Sequence, residues 1–272
     1  MTATFSALRA QLESDLAGRV SAPFTYRDRK PSTTARFGVG EIDFLTGGLP
    51  RGSLTEICAP PCSGRTSLLI SALAERTARG EVCALVDGSD AFDPHSAAAA
   101  GVSLRQLLWV RCRSIDQALR STDLLLLAGG FGFIALDLGD IAPRTVRQVP
   151  LSVWFRFRRA VENTPGIFCL LDQETVAKTC ASLVLRLDWA AGRWAIAIPH
   201  ERTSHCQASL LDGIETGADV LRSRTKPIME LFAPKSSSAA ARVSITALKD
   251  YLDGDPCAMP SKSAKQITSV GA

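Results

Sequence analysis

The stretch Ala59-Pro60-Pro61-Cys62-Ser63-Gly64-Arg65-Thr66-Ser67 decides the fold of this 272-residue chain. It follows a strand-like run, Ser53–Cys58, and precedes an amphipathic run, Leu68–Arg76. A strand, a loop of small residues and a helix in this order are typical of a phosphate-binding loop, where backbone N–H groups and the helix N-terminus face an anion. The sequence therefore predicts a phosphate site formed by residues 60–67, with a plain strand-to-helix turn as the alternative.

The stretch departs at two positions from the usual phosphate-loop pattern, G-x-x-x-x-G-K-[ST]. Ala59 replaces the first glycine and Arg65 replaces the lysine, whereas Gly64 and Thr66 agree with the pattern. Arginine is longer than lysine and binds oxygen atoms through a planar fork rather than as a point charge. We therefore interpret the stretch as a variant of the phosphate loop.

Apolar strands and helical segments alternate on both sides of this loop. Three strand-like runs end in a carboxylate: Val82–Asp87, Gly132–Asp137 and Ile167–Asp172. Helices are predicted from Asp93-Pro94 to Ala100, from Ser114 to about Leu126, and over Leu151–Glu162. This alternation predicts an α/β fold with a mainly parallel sheet covered on both faces, which binds ligands at the carboxyl ends of its strands.

Two further segments allow more specific predictions. Leu183–Asp188 and Trp194–Ile198 are predicted to form an antiparallel pair around Ala191-Gly192. The helix Leu151–Glu162 carries arginines beside aromatic residues. It is interpreted either as a helix that contacts phosphates or, as we favour, as an amphipathic helix with its aromatics in the core.

The chain is predicted to have three parts. Residues 1–34 comprise an amphipathic helix, with Phe5, Leu8, Leu12 and Leu16 at helical spacing, and a linker. This helix packs either on its own domain or on a partner. Residues 35–232 form the core domain. Residues 233–272 are rich in Ser, Ala, Lys and Pro and are predicted to be a flexible tail, with a short helix within Val243–Leu252.

Composition narrows the functional classes. The net charge of +4 permits contact with nucleic acid without requiring it. The eight cysteines include no C-x-x-C pair, which indicates a reduced, cytoplasmic protein. No signal peptide is evident, and no apolar run reaches the roughly 18–20 residues of a membrane span, so no membrane role is expected.

Residues Phe37–Ser67 resemble the opening of the bacterial RecA recombinase core. In that family, T-G-x-x-x-L-D-x-x-L-G-x-G-G-L-P-x-G runs into E-I-x-G-P-E-S-S-G-K-T. The matching residues are Gly38, Ile42-Asp43, Gly47-Gly48-Leu49-Pro50, Gly52, Glu56-Ile57, Pro60, Ser63-Gly64 and Thr66. The resemblance extends to about Trp194 and implies a RecA-like P-loop core. It also implies that Asp93 contributes to nucleotide binding, that Asp137 is the Walker B aspartate and that Gln173 is the switch glutamine.

The resemblance also implies ATP and Mg²⁺ as cofactors, with Thr66 and Asp137 at the metal. However, Ser89 stands where the family has the glutamate that activates water, and Ser96 where a tyrosine stacks on the base. The two segments that match the family's glycine-rich DNA-binding loops, Leu138–Val149 and Glu174–Ala181, are short. Weak or absent ATP hydrolysis is therefore expected.

A RecA core with these changes resembles the ImuA-type RecA-like proteins. That resemblance implies an adaptor in the DNA-damage (SOS) response and translesion synthesis. Its expected partners are a Y-family polymerase homologue and an error-prone replicative polymerase, with a RecA-family protomer and single-stranded DNA as further candidates. The alternatives are an ATP-dependent recombinase that binds single-stranded DNA, and an SOS cell-division inhibitor that acts by protein contact.

Overall fold

The computed structural model describes residues 33–196, 209–224 and 240–245. Its helices are α1 (Gly40–Thr46), α2 (Arg65–Ala78), α3 (Pro94–Ala99), α4 (Ile115–Ala128), α5 (Pro143–Val146) and α6 (Leu151–Val161). Its strands are β1 (Thr34–Ala35), β2 (Leu49–Pro50), β3 (Ser53–Cys58), β4 (Cys83–Asp87), β5 (Leu107–Arg111), β6 (Phe133–Asp137), β7 (Ile167–Asp172), β8 (Leu183–Ile196), β9 (Ser209–Ser223) and β10 (Ala240–Ile245).

Eight of the strands form one sheet in the order β10-β9-β8-β3-β7-β6-β4-β5. Strands β8, β3, β7, β6, β4 and β5 run parallel to their neighbours within this group, whereas β9 and β10 are antiparallel additions at one edge. Strands β1 and β2 form a small separate antiparallel pair. The predicted α/β fold with a mainly parallel central sheet is therefore confirmed.

Side chains alternate between the two faces of the sheet because successive residues of a strand point in opposite directions. On β3, Ile57 belongs to the core cluster that includes residues of α1 and α2, whereas Leu54 belongs to the cluster that includes residues of α4 and α6. Both faces are consequently buried, which explains why the central strands are continuous apolar runs rather than alternating ones.

The register of the central strands aligns their carboxyl ends. Cys58 lies beside Asp172 in the β3–β7 pair, Asp137 beside Leu171 in the β6–β7 pair, and Asp87 beside Asp137 in the β4–β6 pair. The loop after β3 and the carboxylates that end β4, β6 and β7 therefore share one edge of the sheet.

The predicted antiparallel pair around Ala191-Gly192 is wrong. Leu183–Ile196 is one continuous strand, and its antiparallel partner is β9. Gly192 lies within this pairing, opposite Ile214. Gly192 does not have the positive φ that a tight hairpin turn requires. The pairing of β8 with β9 shifts register between Leu187 and Ala190 and between Arg193 and Trp194.

The predicted short helix within Val243–Leu252 is also wrong at its start, because Val243 to Ile245 belong to β10. This strand lies in the segment predicted to be a tail, and it pairs with residues 214–219 of β9. Two-residue alternation in Ala240–Ile245 fits a strand better than a helix. At the other end, β1 begins at Thr34, one residue before the predicted start of the core.

Several predictions fall outside the described residues. These are the N-terminal helix, the linker up to residue 32, and the tail segments 233–239 and 246–272. Within the described ranges, no helix is both long and apolar enough to cross a membrane.

Helix α6 confirms the amphipathic interpretation of its sequence. Trp154 and Phe157 are 1% and 0% exposed, and Phe157 meets Phe168 of β7 edge-to-face at 5.6 Å between ring centroids. Arg156 is exposed and donates to Asp123 of α4 at 2.8 Å. Phe155 is the exception among the aromatics, since it is 40% exposed.

Replacing Trp154 with alanine should lower the free energy of unfolding by about 3–5 kcal/mol, because it leaves a large cavity against α4, β3 and β7. Phe155→Ala, on the outer face of the same helix, should cost less than about 1 kcal/mol. Urea denaturation followed by circular dichroism measures both values. Equal losses for the two variants would contradict this packing of α6.

Candidate phosphate-binding site

The predicted loop lies between β3, which ends at Cys58, and α2, which begins at Arg65. Cys62 and Gly64 have left-handed backbone conformations, with φ of 60° and 86°, and these turn the chain sharply into the helix. Pro61, Cys62 and Thr66 are exposed, whereas Ser63 and Arg65 are buried. The strand, loop and helix therefore follow one another as the sequence predicted.

The start of α2 fits a phosphate group. Its N-cap residue, Gly64, supplies no side-chain hydrogen bond to the first turn. The hydroxyl of Ser63 is buried and has no hydrogen-bond partner among the described residues. A helix N-terminus leaves its first N–H groups unpaired and carries a partial positive charge, so these donors suit an anion.

Arg65 extends across the loop rather than into solvent. Its Nη1 donates to the carbonyl of Ala59 at 2.8 Å, and its Nη2 lies 3.4 Å from Oδ1 of Asp140. Its Nε has no hydrogen-bond partner in the described part of the chain. The residue is only 5% exposed, so the cation of the loop is held inside the protein.

Asp137 ends β6 at the position of the predicted metal ligand. Its Oδ1 accepts from the N–H of Gly139 at 2.9 Å. Burial raises the pKa of this carboxyl, and the Gly139 hydrogen bond and the positive charge of Arg65 oppose the rise. A divalent cation would stabilise such a carboxylate. No hydrogen bond joins Asp137 to Thr66 in the structure, so their shared role at Mg²⁺ stays a prediction.

The loop after β4 is organised by Asp87. Its two carboxylate oxygens accept from the backbone N–H groups of Ser89, Ala91 and Phe92 and from Nε1 of Trp109, at 2.9–3.3 Å. The Ser89 hydroxyl is buried and has no partner among the described residues. The carboxylate of Asp87 therefore holds its own loop and also contacts Trp109 of β5.

Asp90, in the same loop, forms a two-pronged ion pair with Arg111 at 2.5 and 2.6 Å. Hydrogen bonding to Arg111 lowers the pKa of Asp90. A carboxylate in such a pair is a weak proton acceptor.

Asp93 caps α3 rather than pointing freely at the loop. Its carboxylate accepts from the backbone N–H groups of His95 and Ser96 at 3.2 and 3.0 Å, and also from the Ser96 hydroxyl. These bonds lower the pKa of Asp93, with the Ser96 hydroxyl as the largest cause. Its predicted contact with a nucleotide remains a prediction.

Gln173, the predicted switch residue, is tied to the neighbouring strand end. Its Nε2 donates to the carbonyl of Gly139 at 2.8 Å, and its backbone N–H donates to Oδ1 of Asp172 at 2.6 Å. Burial raises the pKa of Asp172 to about 7, against the opposing effect of the Gln173 N–H.

Three residues of this edge were not predicted as site residues. Oε1 of Glu56 accepts from the N–H groups of Val176 and Ala177 at 2.6 and 2.8 Å and fastens the segment after β7. Gly139 and Asp140 contact Arg65. A glutamate inside a strand predicted to lie in the buried sheet is a signal for Glu56, because a fully buried carboxylate needs partners. Gly139 and Asp140 carry no comparable signal.

Comparison with known proteins finds similarity in the part of the chain that contains the phosphate loop. Residues 33–146 match the family model described as RecA N-terminal domain. Those residues are therefore similar to the RecA N-terminal domain. Among relatives, Protein RecA of Ruegeria pomeroyi is 36% identical over 166 residues, which cover 61% of this chain and 45% of that protein. Protein RecA of Rhizobium leguminosarum bv. trifolii is 33% identical over 144 residues, which cover 53% of this chain and 37% of that protein.

The chain thus spans less than half the length of these RecA relatives. The match supports the RecA-like core predicted from sequence, and the sheet described above agrees with it. The position that holds the loop lysine in the phosphate-loop pattern lies inside the matched region and is occupied here by Arg65.

Asp172→Asn should flatten the pH dependence of stability. Because the folded pKa of about 7 exceeds the usual 3.8, the folded state holds this proton more tightly than the unfolded state, and stability falls as pH rises through that interval. Between pH 5 and pH 8 the wild type should lose about 2–3 kcal/mol more than the variant, which keeps the acceptor for the Gln173 N–H. Urea denaturation at several pH values measures the difference.

The control for this experiment is Asp116→Asn, at an exposed position of α4. It should keep the wild-type pH dependence. Parallel stability–pH curves for the wild type and Asp172→Asn would show that Asp172 titrates normally.

Proposed function

We propose that this chain is a RecA-like accessory protein whose phosphate loop binds Mg-ATP but supports little or no hydrolysis. It acts as an adaptor in the DNA-damage (SOS) response and in translesion DNA synthesis. The observation that carries this proposal is the loop after β4, where no carboxylate is available to activate water among the described residues.

Hydrolysis of a phosphoanhydride requires a group that orients or deprotonates the attacking water. Ser89, at the position where the RecA family has a glutamate, offers only a hydroxyl. The two nearby acids are engaged, because Asp87 accepts four hydrogen bonds and Asp90 is paired with Arg111. The loop after β4 therefore offers no free carboxylate as a base.

The segments after β6 and β7 support an adaptor more than a RecA-style grip on single-stranded DNA. Leu138 and Val146 are buried in the core against α6 and the sheet. Val176, Ala177 and Cys180 are likewise buried, and Glu56 fastens the second segment. Segments that pack into the core leave little chain to wrap a strand of nucleic acid.

The proposed partners are a Y-family polymerase homologue and an error-prone replicative polymerase. A RecA-family protomer and single-stranded DNA are further candidates, since relatives named Protein RecA match the core. Support for the polymerase partners comes from the resemblance to ImuA-type proteins, which combine this core with an altered site.

Two assays on the full chain test the proposal. ATP hydrolysis with single-stranded DNA should be at least about 100-fold slower than that of Ruegeria pomeroyi RecA measured in parallel, because a missing general base typically costs that much. The tagged chain should also retain a purified Y-family polymerase homologue from the same genome, whereas a tagged unrelated protein should not. DNA-stimulated turnover at the RecA rate would instead favour a recombinase, and loss of polymerase retention would contradict the adaptor role.

A further inference from the structure

The guanidinium of Arg65 joins two parts of the sheet edge that are not neighbours. The Arg65 side chain extends from the first residue of α2, the helix that follows β3, to Asp140, which follows β6. Strand β7 lies between β3 and β6 in the sheet. The side chain therefore crosses the carboxyl end of β7, in front of the residues expected to surround phosphates.

Gly139 provides the space for this arrangement. A Cβ atom added at Gly139 would lie 2.0 Å from Nη2 and 2.1 Å from Cζ of Arg65. The backbone of Gly139 does not have a positive φ, so an alanine there would meet the guanidinium without backbone strain. Arg65 can therefore take its inward position only because residue 139 is a glycine.

The charges around Arg65 explain why it stays inside. Its positive charge acts on both Asp137 and Asp172, and Asp140 lies at hydrogen-bond distance. The guanidinium is thus the counter-ion of an acidic sheet edge. A polyphosphate bound at the start of α2 would compete with these carboxylates for the same cation.

We propose that Arg65 is an internal occupant of the phosphate loop, which a nucleotide must displace from the Ala59 carbonyl in order to bind. This regulation rests on the proposed nucleotide binding at the same loop. Displacement also affects Gly139, whose carbonyl holds the side chain of Gln173 at 2.8 Å. Binding at the loop is therefore coupled to the segment after β7.

Gly139→Ala tests the proposal because the added methyl group pushes the Arg65 guanidinium out of its position in the loop, while the arginine itself is retained. The variant should bind MgATP at least about fivefold more tightly than the wild type in isothermal titration calorimetry. Its ligand-free melting temperature should fall by about 2–4 °C, because the contacts of Arg65 with Ala59 and Asp140 are lost. Arg65→Lys, which is shorter and lacks the fork that joins both partners, should change both quantities in the same directions.

Gly40→Ala is the matched control, because a Cβ atom there would meet no atom within 4 Å. It should leave affinity unchanged and should not lower the melting temperature, because alanine at a compatible helical position restricts the unfolded chain. If Gly139→Ala does not bind MgATP more tightly than the wild type, the proposal is overturned. If only Arg65→Lys binds it more tightly, lysine is simply the better phosphate ligand, and the proposal is overturned as well. Absence of MgATP binding in every variant overturns the proposal together with the nucleotide site, whereas rapid ATP hydrolysis contradicts only the proposed function.

Discussion

The candidate site depends on backbone hydrogen bonds that join the ends of neighbouring parallel strands. Ala59 N–H donates to the carbonyl of Asp172, Leu138 N–H to that of Leu171, and Gly88 N–H to that of Asp137, all at 2.9–3.0 Å. Each bond connects the first residue after one strand to the end of the next strand. Because these bonds prevent the strands from shifting independently, the phosphate loop and the carboxylates are held at the same edge of the sheet.

This alignment concentrates acidic groups, and the structure satisfies them in different ways. Asp87 and Glu56 accept from backbone N–H groups of the loops that they organise. Asp137 and Asp172 each accept one backbone N–H bond, from Gly139 and Gln173, and burial raises the pKa of both. The inward guanidinium of Arg65 partly compensates the negative charge at this edge of the sheet. This charge balance accounts for the almost complete burial of the Arg65 side chain.

The sequence predicted the sheet well, because each buried strand is a continuous apolar run and three of them end in aspartate. It predicted the loop because Gly64 and Thr66 keep the spacing of the phosphate-loop pattern. It failed at β8 and β10. Ala191-Gly192 resembles a turn when the partner strand is unknown. At β10 the alternation of Ala240–Ile245 indicates a strand, but the segment was interpreted from the composition of the tail that surrounds it.

The direction of Arg65 was likewise not predictable, because it depends on empty space at Gly139, 74 residues further along the chain. A motif gives the residue type at a position but not the tertiary contacts that select its rotamer. The same limit applies to Asp90, whose availability as a base depends on Arg111 of β5. Sequence spacing located the loop, and long-range contacts determined what its side chains do.

The position of the Arg65 guanidinium is the central claim, and the exchange rate of its Nε proton in heteronuclear NMR spectra tests it most directly. The Arg65→Lys spectrum assigns the resonance by its disappearance. In the ligand-free protein this proton should exchange with water far more slowly than those of the exposed Arg105 and Arg120, because the side chain is enclosed between Ala59 and Gly139. Exchange as fast as that of the exposed arginines would contradict the account.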